Sequence, residues 1–438
     1  MNHHIGSNTL PVELISLVFD SLSLQELLCA SRVSKFWRAV AFRHSTFWRD
    51  VTLSSLSTAA LDCFHARIGA GSNRSVIVNI SLPEVALPAR LQYNALPLLT
   101  HNLYRIEMLF VEIDPACDTD IFTALKCPAP RLNTFHLARI QDTRPSDALP
   151  VDLFASQAPN LRDVHLIDVE LFADRLPPAF SSVTELSYCF HGAQSFPTAL
   201  FAHCKLLRSL TIYGRCCSLS PDEDPEISID SRRLESVDVA LFAGGFGIMR
   251  HLPCASIADI CTTILDQESA ELLLSHLRGR LDVHIYKAPP KLLVQFRSRD
   301  TGMQRAFACV PDLTVDARLP PVYAADHLVS RIYAIHCSAT FIALLPSFHT
   351  LPSCTRVVLS HAEDWSDNLP RHPLSVPALE RVEILSEASA HLSADALVEF
   401  LDRTLDPVAR KVQVALTGVV LDGDIAVLGE RFVVSGDK

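Results

Sequence analysis

Between residues 10 and 50 the apolar positions recur at helical spacing. Leu14, Ile15, Val18, Phe19 and Leu22 lie three and four residues apart, which puts them on one face of a helix. Pro11 just ahead suits a first helical turn. Ser23-Leu24-Gln25-Glu26 has the spacing at which a serine hydroxyl and a glutamate carboxylate each take the other's backbone N–H, and so starts a second helix through Leu27, Leu28 and Ala30. A third piece carries Val33, Phe36, Trp37 and Val40 on one side, with Lys35, Arg38 and Arg43 elsewhere. Helices this short cannot bury so many large side chains among themselves. The pattern therefore predicts an apolar surface that packs on the rest of the chain or docks on a partner.

From residue 75 the period changes to a strand-like one: an apolar or small residue at position i, then apolar residues at i+3 and i+5, often after Pro-x or a polar pair. The clearest copies are Leu132-Phe135-Leu137, Leu161-Val164-Leu166, Leu207-Leu210-Ile212, Leu234-Val237-Val239 and Leu379-Val382-Ile384. Weaker copies start at Ser75, Leu103, Val183, Ile257, Arg280, Val310, Val329, Cys354 and Ala409, at a mean spacing of about 26 residues. Return helices are predicted near residues 153–157, 270–277 and 394–405, and a bridging helix at 58–68. A unit of one short strand and one return cannot bury its apolar face alone, so the units must stack. The pattern is poorest over 240–330, where ALFAGGFGIM, KAPPKLL and RLPPVY interrupt it. Residues 216–230 read as an exposed acidic loop.

With 49% hydrophobic and 20% charged residues among 438, the chain is too apolar for disorder. A net charge of −11 argues against a general nucleic-acid binder, because phosphate neutralisation needs a basic surface. The acidity is uneven: the first fifty residues carry five basic and four acidic groups, close to neutrality. No basic segment followed by an apolar one opens the sequence, so an intracellular location, cytoplasmic and/or nuclear, is expected, with the 13 cysteines reduced. The uncharged run 332–355 has the length of a membrane span. It holds His336, His349, Pro346 and Pro352, and reads instead as two buried repeat segments.

Motif-borne chemistry is sparse. The one glycine cluster, Gly244-Gly245-Phe246-Gly247, has Arg250 where a third dinucleotide-binding glycine should stand. Cys216-Cys217, Cys189 with His191, His203-Cys204 and His336-Cys337 lack paired metal-ligand spacing. Asp222, Glu223, Asp224 and Glu226 read as a solvated charge run. No catalytic residue, cofactor or metal is expected.

Two resemblances organise these patterns. Leu10, Pro11, Glu13, Leu14, Ile15, Val18 and Phe19, then Leu27, Leu28, Val33, Ser34, Lys35, Trp37 and Arg38, and finally Phe47-Trp48, resemble the F-box. That resemblance implies docking on the linker protein Skp1, and through it on a cullin–RING ligase. By analogy Leu10, Pro11, Leu14, Ile15, Val18, Leu27, Val33 and Trp37 would bind Skp1, with Val18 and Trp37 the first candidates for the helices' own core. The later copies are similar to the Leu-x-x-Leu-x-Leu half of a leucine-rich repeat. They depart from it at Ile140, Val169, His191, Arg215 and Phe242, where the family places asparagine or cysteine. The expected fold class is α/β: a three-helix F-box at 8–50, a helical bridging segment at 51–74, and an irregular leucine-rich-repeat-like solenoid at 75–438. The expected function is that of a substrate-recognition adaptor of an SCF-type ubiquitin ligase, binding an unknown target protein, with no membrane or nucleic-acid partner. The alternatives are a non-catalytic scaffold with no role in degradation and an α/β enzyme whose site no motif reveals.

Overall fold

The computed structural model describes residues 10–70, 74–82, 88–140, 148–171, 175–197, 199–218, 234–243, 248–249, 252–263, 267–288, 291–309, 323, 325–360, 373–406, 411–424 and 432–436. They divide between two compact units, Met1–Arg233 and Leu234–Lys438. The first opens with helices α1 (Val12–Asp20), α2 (Leu24–Ala30), α3 (Lys35–Arg43), α4 (Ser45–Arg49) and α5 (Thr58–Gly69). The predicted capping box is present: Glu26 N–H donates to Ser23 Oγ at 3.4 Å, and Ser23 N–H donates to the Glu26 carboxylate at 2.8 Å.

The strands of the first unit are β1 (Asp50–Leu53), β2 (Val76–Leu82), β3 (Ile106–Ile113), β4 (Thr134–Arg139), β5 (Asp163–Ile167), β6 (Glu185–Ser195) and β7 (Ser209–Ser218). Each pairs in parallel with the next. The i+3 and i+5 positions stack in register: Phe135, Val164, Leu186 and Leu210 form one row, and Leu137, Leu166, Tyr188 and Ile212 another, all buried. The segment 51–74, expected to bridge, contributes most of β1. The parallel sheet therefore begins at Asp50.

A turn recurs ahead of the strands. The amides of Leu132, Leu161, Cys354 and Leu379 donate to the carbonyls of Ala129, Ala158, Leu351 and Val376, three residues back. Each closes a β-turn whose second residue is proline: Pro130, Pro159, Pro352 and Pro377. Proline fixes φ near the value this position needs and lacks the N–H the turn does not use. One residue after i, in several units, a carbonyl accepts two amides of the next unit. Asn133 O takes the N–H of Arg162 and Asp163, Arg162 O those of Thr184 and Glu185, and Thr355 O those of Glu380 and Arg381.

In the second unit the strands are β8 (Ser236–Ala243), β9 (Asp259–Thr263), β10 (Leu281–Ala288), β11 (Lys291–Ser298), β12 (Gln304–Cys309), β13 (Ile332–Ser338), β14 (Arg356–Ser360), β15 (Arg381–Ser393), β16 (Val412–Asp422) and β17 (Phe432–Gly436). Their spatial order is β8-β9-β12-β11-β10-β13-β14-β15-β16-β17. Only β11 runs against its neighbours. The link lengths explain this: two residues before it and residues 299–303 after it are fewer than the dozen or so a parallel crossover needs, so β11 runs antiparallel to both neighbours. The weak sequence pattern over 240–330 thus marks a change of connection. Val310, Ala409, Gly244–Gly247, Arg250 and the acidic residues 222–226 lie outside the described residues; the other twelve starts each lead into a strand.

Of the expected returns, 394–405 is the helix Ala394–Thr404 and 270–277 overlaps the helix Gln267–Ser275. The return at 153–157 is instead a single tight turn in which Phe154, Ala155 and Ser156 all have positive φ. Phe154 explains it: its N–H donates to Leu125 O at 2.7 Å and its buried ring meets Phe135 edge-on at 5.1 Å. The uncharged run forms β13 and a 3-10 segment, Ala339–Phe348. No helix among the described residues is long and apolar enough to cross a membrane.

Arginines also bind backbone carbonyls between the strand units. Arg162 Nη1 donates to Pro159, Leu161 and Ser182 carbonyls, and Arg331 to those of Leu277 and Gly279. Arg305, with no exposed surface, donates to Cys254, Ala258 and Gln304 carbonyls. Burial lowers its pKa to about 10, so it remains a cation at neutral pH.

A candidate docking surface on the N-terminal helices

α1, α2 and α3 share a small core of Ile15, Phe19, Leu27, Val40 and Ala41, with Leu22, Ala30, Trp37 and Phe47 packed at its margin. Phe19 is its centre: Trp37 meets it edge-on from α3 and His44 from the α3–α4 junction, with centroids 5.6 and 5.7 Å away. Arg38 Nε donates to Ser31 O, joining α3 to the end of α2. Arg67 of α5 donates to the carbonyls of Phe47 and Asp50 and lies over the Phe47 ring at 5.4 Å. The helices are thereby fixed to the first strand.

A core of five residues leaves much apolar surface outside. Among the described residues 17 large hydrophobic side chains are exposed, and nine fall between Leu10 and Phe42: Leu10, Val12, Leu14, Leu17, Val18, Leu28, Val33, Phe36 and Phe42. Folding does not require their exposure, whereas docking does. A groove of about 740 Å³ opens beside them, lined by Val12, Ser16, Phe36, Arg43, Trp48 and Arg49 among others.

The eight sequence-selected positions divide. Leu10, Pro11, Leu14, Val18 and Val33 are exposed, Trp37 is half-buried, and Ile15 and Leu27 have no exposed surface. Val18, singled out as a core candidate, is 46% exposed, while Ile15 takes the inward place. The two are three residues apart, and α1 is short enough that a modest rotation decides which faces in. Leu17, Phe36 and Phe42 were missed, although Phe36 sits on the predicted apolar side of α3.

Elsewhere the Cys/His pairs are occupied or inert. His191 bonds Asp168 through both its backbone N–H and its ring. His336 stacks on His284 at 4.2 Å. Burial pushes the Cys204 and Cys217 thiols up to about 12, far from a reactive thiolate. The described residues hold no group of three or more potential metal ligands.

Compared with known proteins, the whole chain matches no curated protein. Residues 7–54 match the family model described as F-box-like. Those residues span the four helices, the exposed apolar set and β1, and the chain therefore carries an F-box-like domain at its N-terminal end.

Proposed function

We propose that this chain is a substrate-recognition adaptor of an SCF-type ubiquitin ligase, acting in the cytoplasm and/or nucleus. In this reading Leu10, Pro11, Leu14, Val18 and Val33 meet Skp1, while Ile15, Leu27 and Trp37 hold the helices that present them. The observation that carries it is the concentration of exposed apolar side chains on the F-box-like helices. The strand units act as leucine-rich-repeat-like solenoid segments whose outward side chains receive a target protein. The chain performs no bond chemistry. It raises the local concentration of target lysines near a ubiquitin-charged enzyme, the gain any tether gives.

Target turnover tests the reading. Proteins captured by the strand units are expected to persist longer in cells lacking this chain. The wild type should restore their turnover, and Leu14→Asp should not. Unchanged half-lives would favour a scaffold with no role in degradation.

A further inference from the structure

Pairing registers define which side chains stand side by side on the arginine-bearing face of the second unit, where Ala306, Ala334, Val358 and Glu383 are buried and the longer side chains reach solvent. One row reads Gln304, Arg297, Asp282, Ala334, Arg356 and Arg381 across β12, β11, β10, β13, β14 and β15; the next reads Ala306, Gln295, His284, His336, Val358 and Glu383. Arg299 reaches the first row by donating from Nε to both oxygens of Asp282, at 2.8 and 2.9 Å, and lies over the Tyr333 ring at 4.2 Å. Arg356 Nη2 and Arg381 Nε both bond Glu383, the latter at 2.7 Å. Across β11, β10, β13, β14 and β15 four arginines thus face two carboxylates, both already engaged; on β9 and β8 the same rows continue to Asp259 and Asp238. Arg297 is exposed with no ion-pair partner among the described residues.

The corresponding face of the first unit has the opposite charge. Its rows across β3 to β6 are Met108, Thr134, Asp163 and Glu185; Phe110, His136, His165 and Ser187; and Glu112, Ala138, Ile167 and Cys189. Those rows hold three carboxylates and no arginine. Among these rows the surplus of cations, in a chain of net charge −11, is local to the stretch of the second unit from β11 to β15. Between the arginines, His284 and His336 stack with planes 9° apart. Desolvation lowers both, helped at His284 by Arg297 and at His336 by His284, which together take His336 down to about 4. Half-buried neutral imidazoles add hydrogen-bonding capacity there without adding charge.

We infer that this face, centred on Arg297, Arg299, Arg356 and Arg381 around the His284–His336 stack, receives an acidic peptide segment of the target. The inference rests on the adaptor reading for its biological role and names the chemistry of what is recognised. Spacing narrows it further. Arg297 and Arg356 are three strand steps apart, roughly 14 Å at about 4.8 Å per step, which an extended peptide crosses in about four residues. The fitting segment carries Asp or Glu at positions four apart, with Arg381 available to a third acidic residue beyond.

The experiment is fluorescence anisotropy with the full chain and a labelled Gly/Ser peptide carrying Glu-x-x-x-Glu, compared with its Gln-x-x-x-Gln counterpart. The glutamate peptide is expected to bind at least tenfold tighter. Arg297→Glu, an exposed change, should weaken it at least fivefold, and added salt should weaken it further. Equal binding of the two peptides, no effect of Arg297→Glu, or stronger competition by a single-stranded oligonucleotide than by the glutamate peptide would each overturn the inference. Skp1 capture measured on the same samples separates the two proposals. Peptide binding without Skp1 capture removes the adaptor reading and leaves the peptide face standing; Skp1 capture without peptide binding does the reverse.

Discussion

Trp37 stands edge-on to Phe19, with ring planes at 70°, and this contact joins α3 to α1. It places Trp37 among the residues that build the helical core, at its half-buried margin. Trp37→Ala is expected to cost about 2 kcal/mol, and Ile15→Ala, at a position with no exposed surface, about 3 kcal/mol. Leu14→Ala and Val33→Ala, at exposed positions, should cost less than about 0.5 kcal/mol. Urea unfolding followed by circular dichroism ranks the four. Equal costs at Leu14 and Ile15 would show that α1 is rotated from the orientation described.

His336 gives the second unit an acid sensitivity. Its pKa falls from 6.5 to about 4, mainly through burial and then through His284 and Arg356, with Asp282 and Glu383 opposing. Between those values the unfolded chain takes up a proton that the folded chain refuses, so stability present above pH 6.5 is lost as the pH falls toward 4. Allowing for solvent screening at a half-buried ring, the loss is about 1 kcal/mol. Melting temperatures at pH 7 and pH 4.5 should therefore converge more closely in His336→Gln than in the wild type. Parallel declines would contradict the assignment.

Arg305 is expected to be indispensable to the β9–β12 pairing. Methionine there would avoid burying a charge, yet would take from the Cys254 carbonyl the donor that Nη2 supplies and leave Ala258 O with the Gln304 N–H alone. At about 1–3 kcal/mol for each unsatisfied buried group, the second effect wins. Arg305→Met should lower stability by about 2 kcal/mol or more, and Arg305→Lys should rescue little because one ammonium cannot replace a fork. Hydrogen exchange should quicken first at Ala306 and Ala308. A neutral substitution would mean the carbonyls find other donors.

What could be read from the chain depended on how local the cause was. The Ser23–Glu26 cap and the strand starts at Leu132, Leu161 and Leu379 follow from residues within a few positions of one another, and all are present. The Pro-containing turns at Pro130, Pro159, Pro352 and Pro377 were visible only as a loose tendency, since their meaning lies in a hydrogen bond that spacing alone does not display. The antiparallel β11 was missed because a fixed period was carried through links too short for it. Which of Ile15 and Val18 faces inward depends on Phe19, Trp37 and Leu27 together, a tertiary outcome. Arg297 and Arg356 lie far apart in sequence, and strand pairing alone puts them in one row.

In the proposed function the F-box-like helices dock on Skp1 through their exposed apolar side chains. Isothermal titration of purified Skp1 into the full chain measures this directly, alongside Leu14→Asp with Val33→Asp in a single variant of unchanged circular dichroism. Saturable one-to-one binding to the wild type is expected, with at least a hundredfold weaker binding to the variant. No binding to the folded wild type, or undiminished binding to the variant, would contradict it.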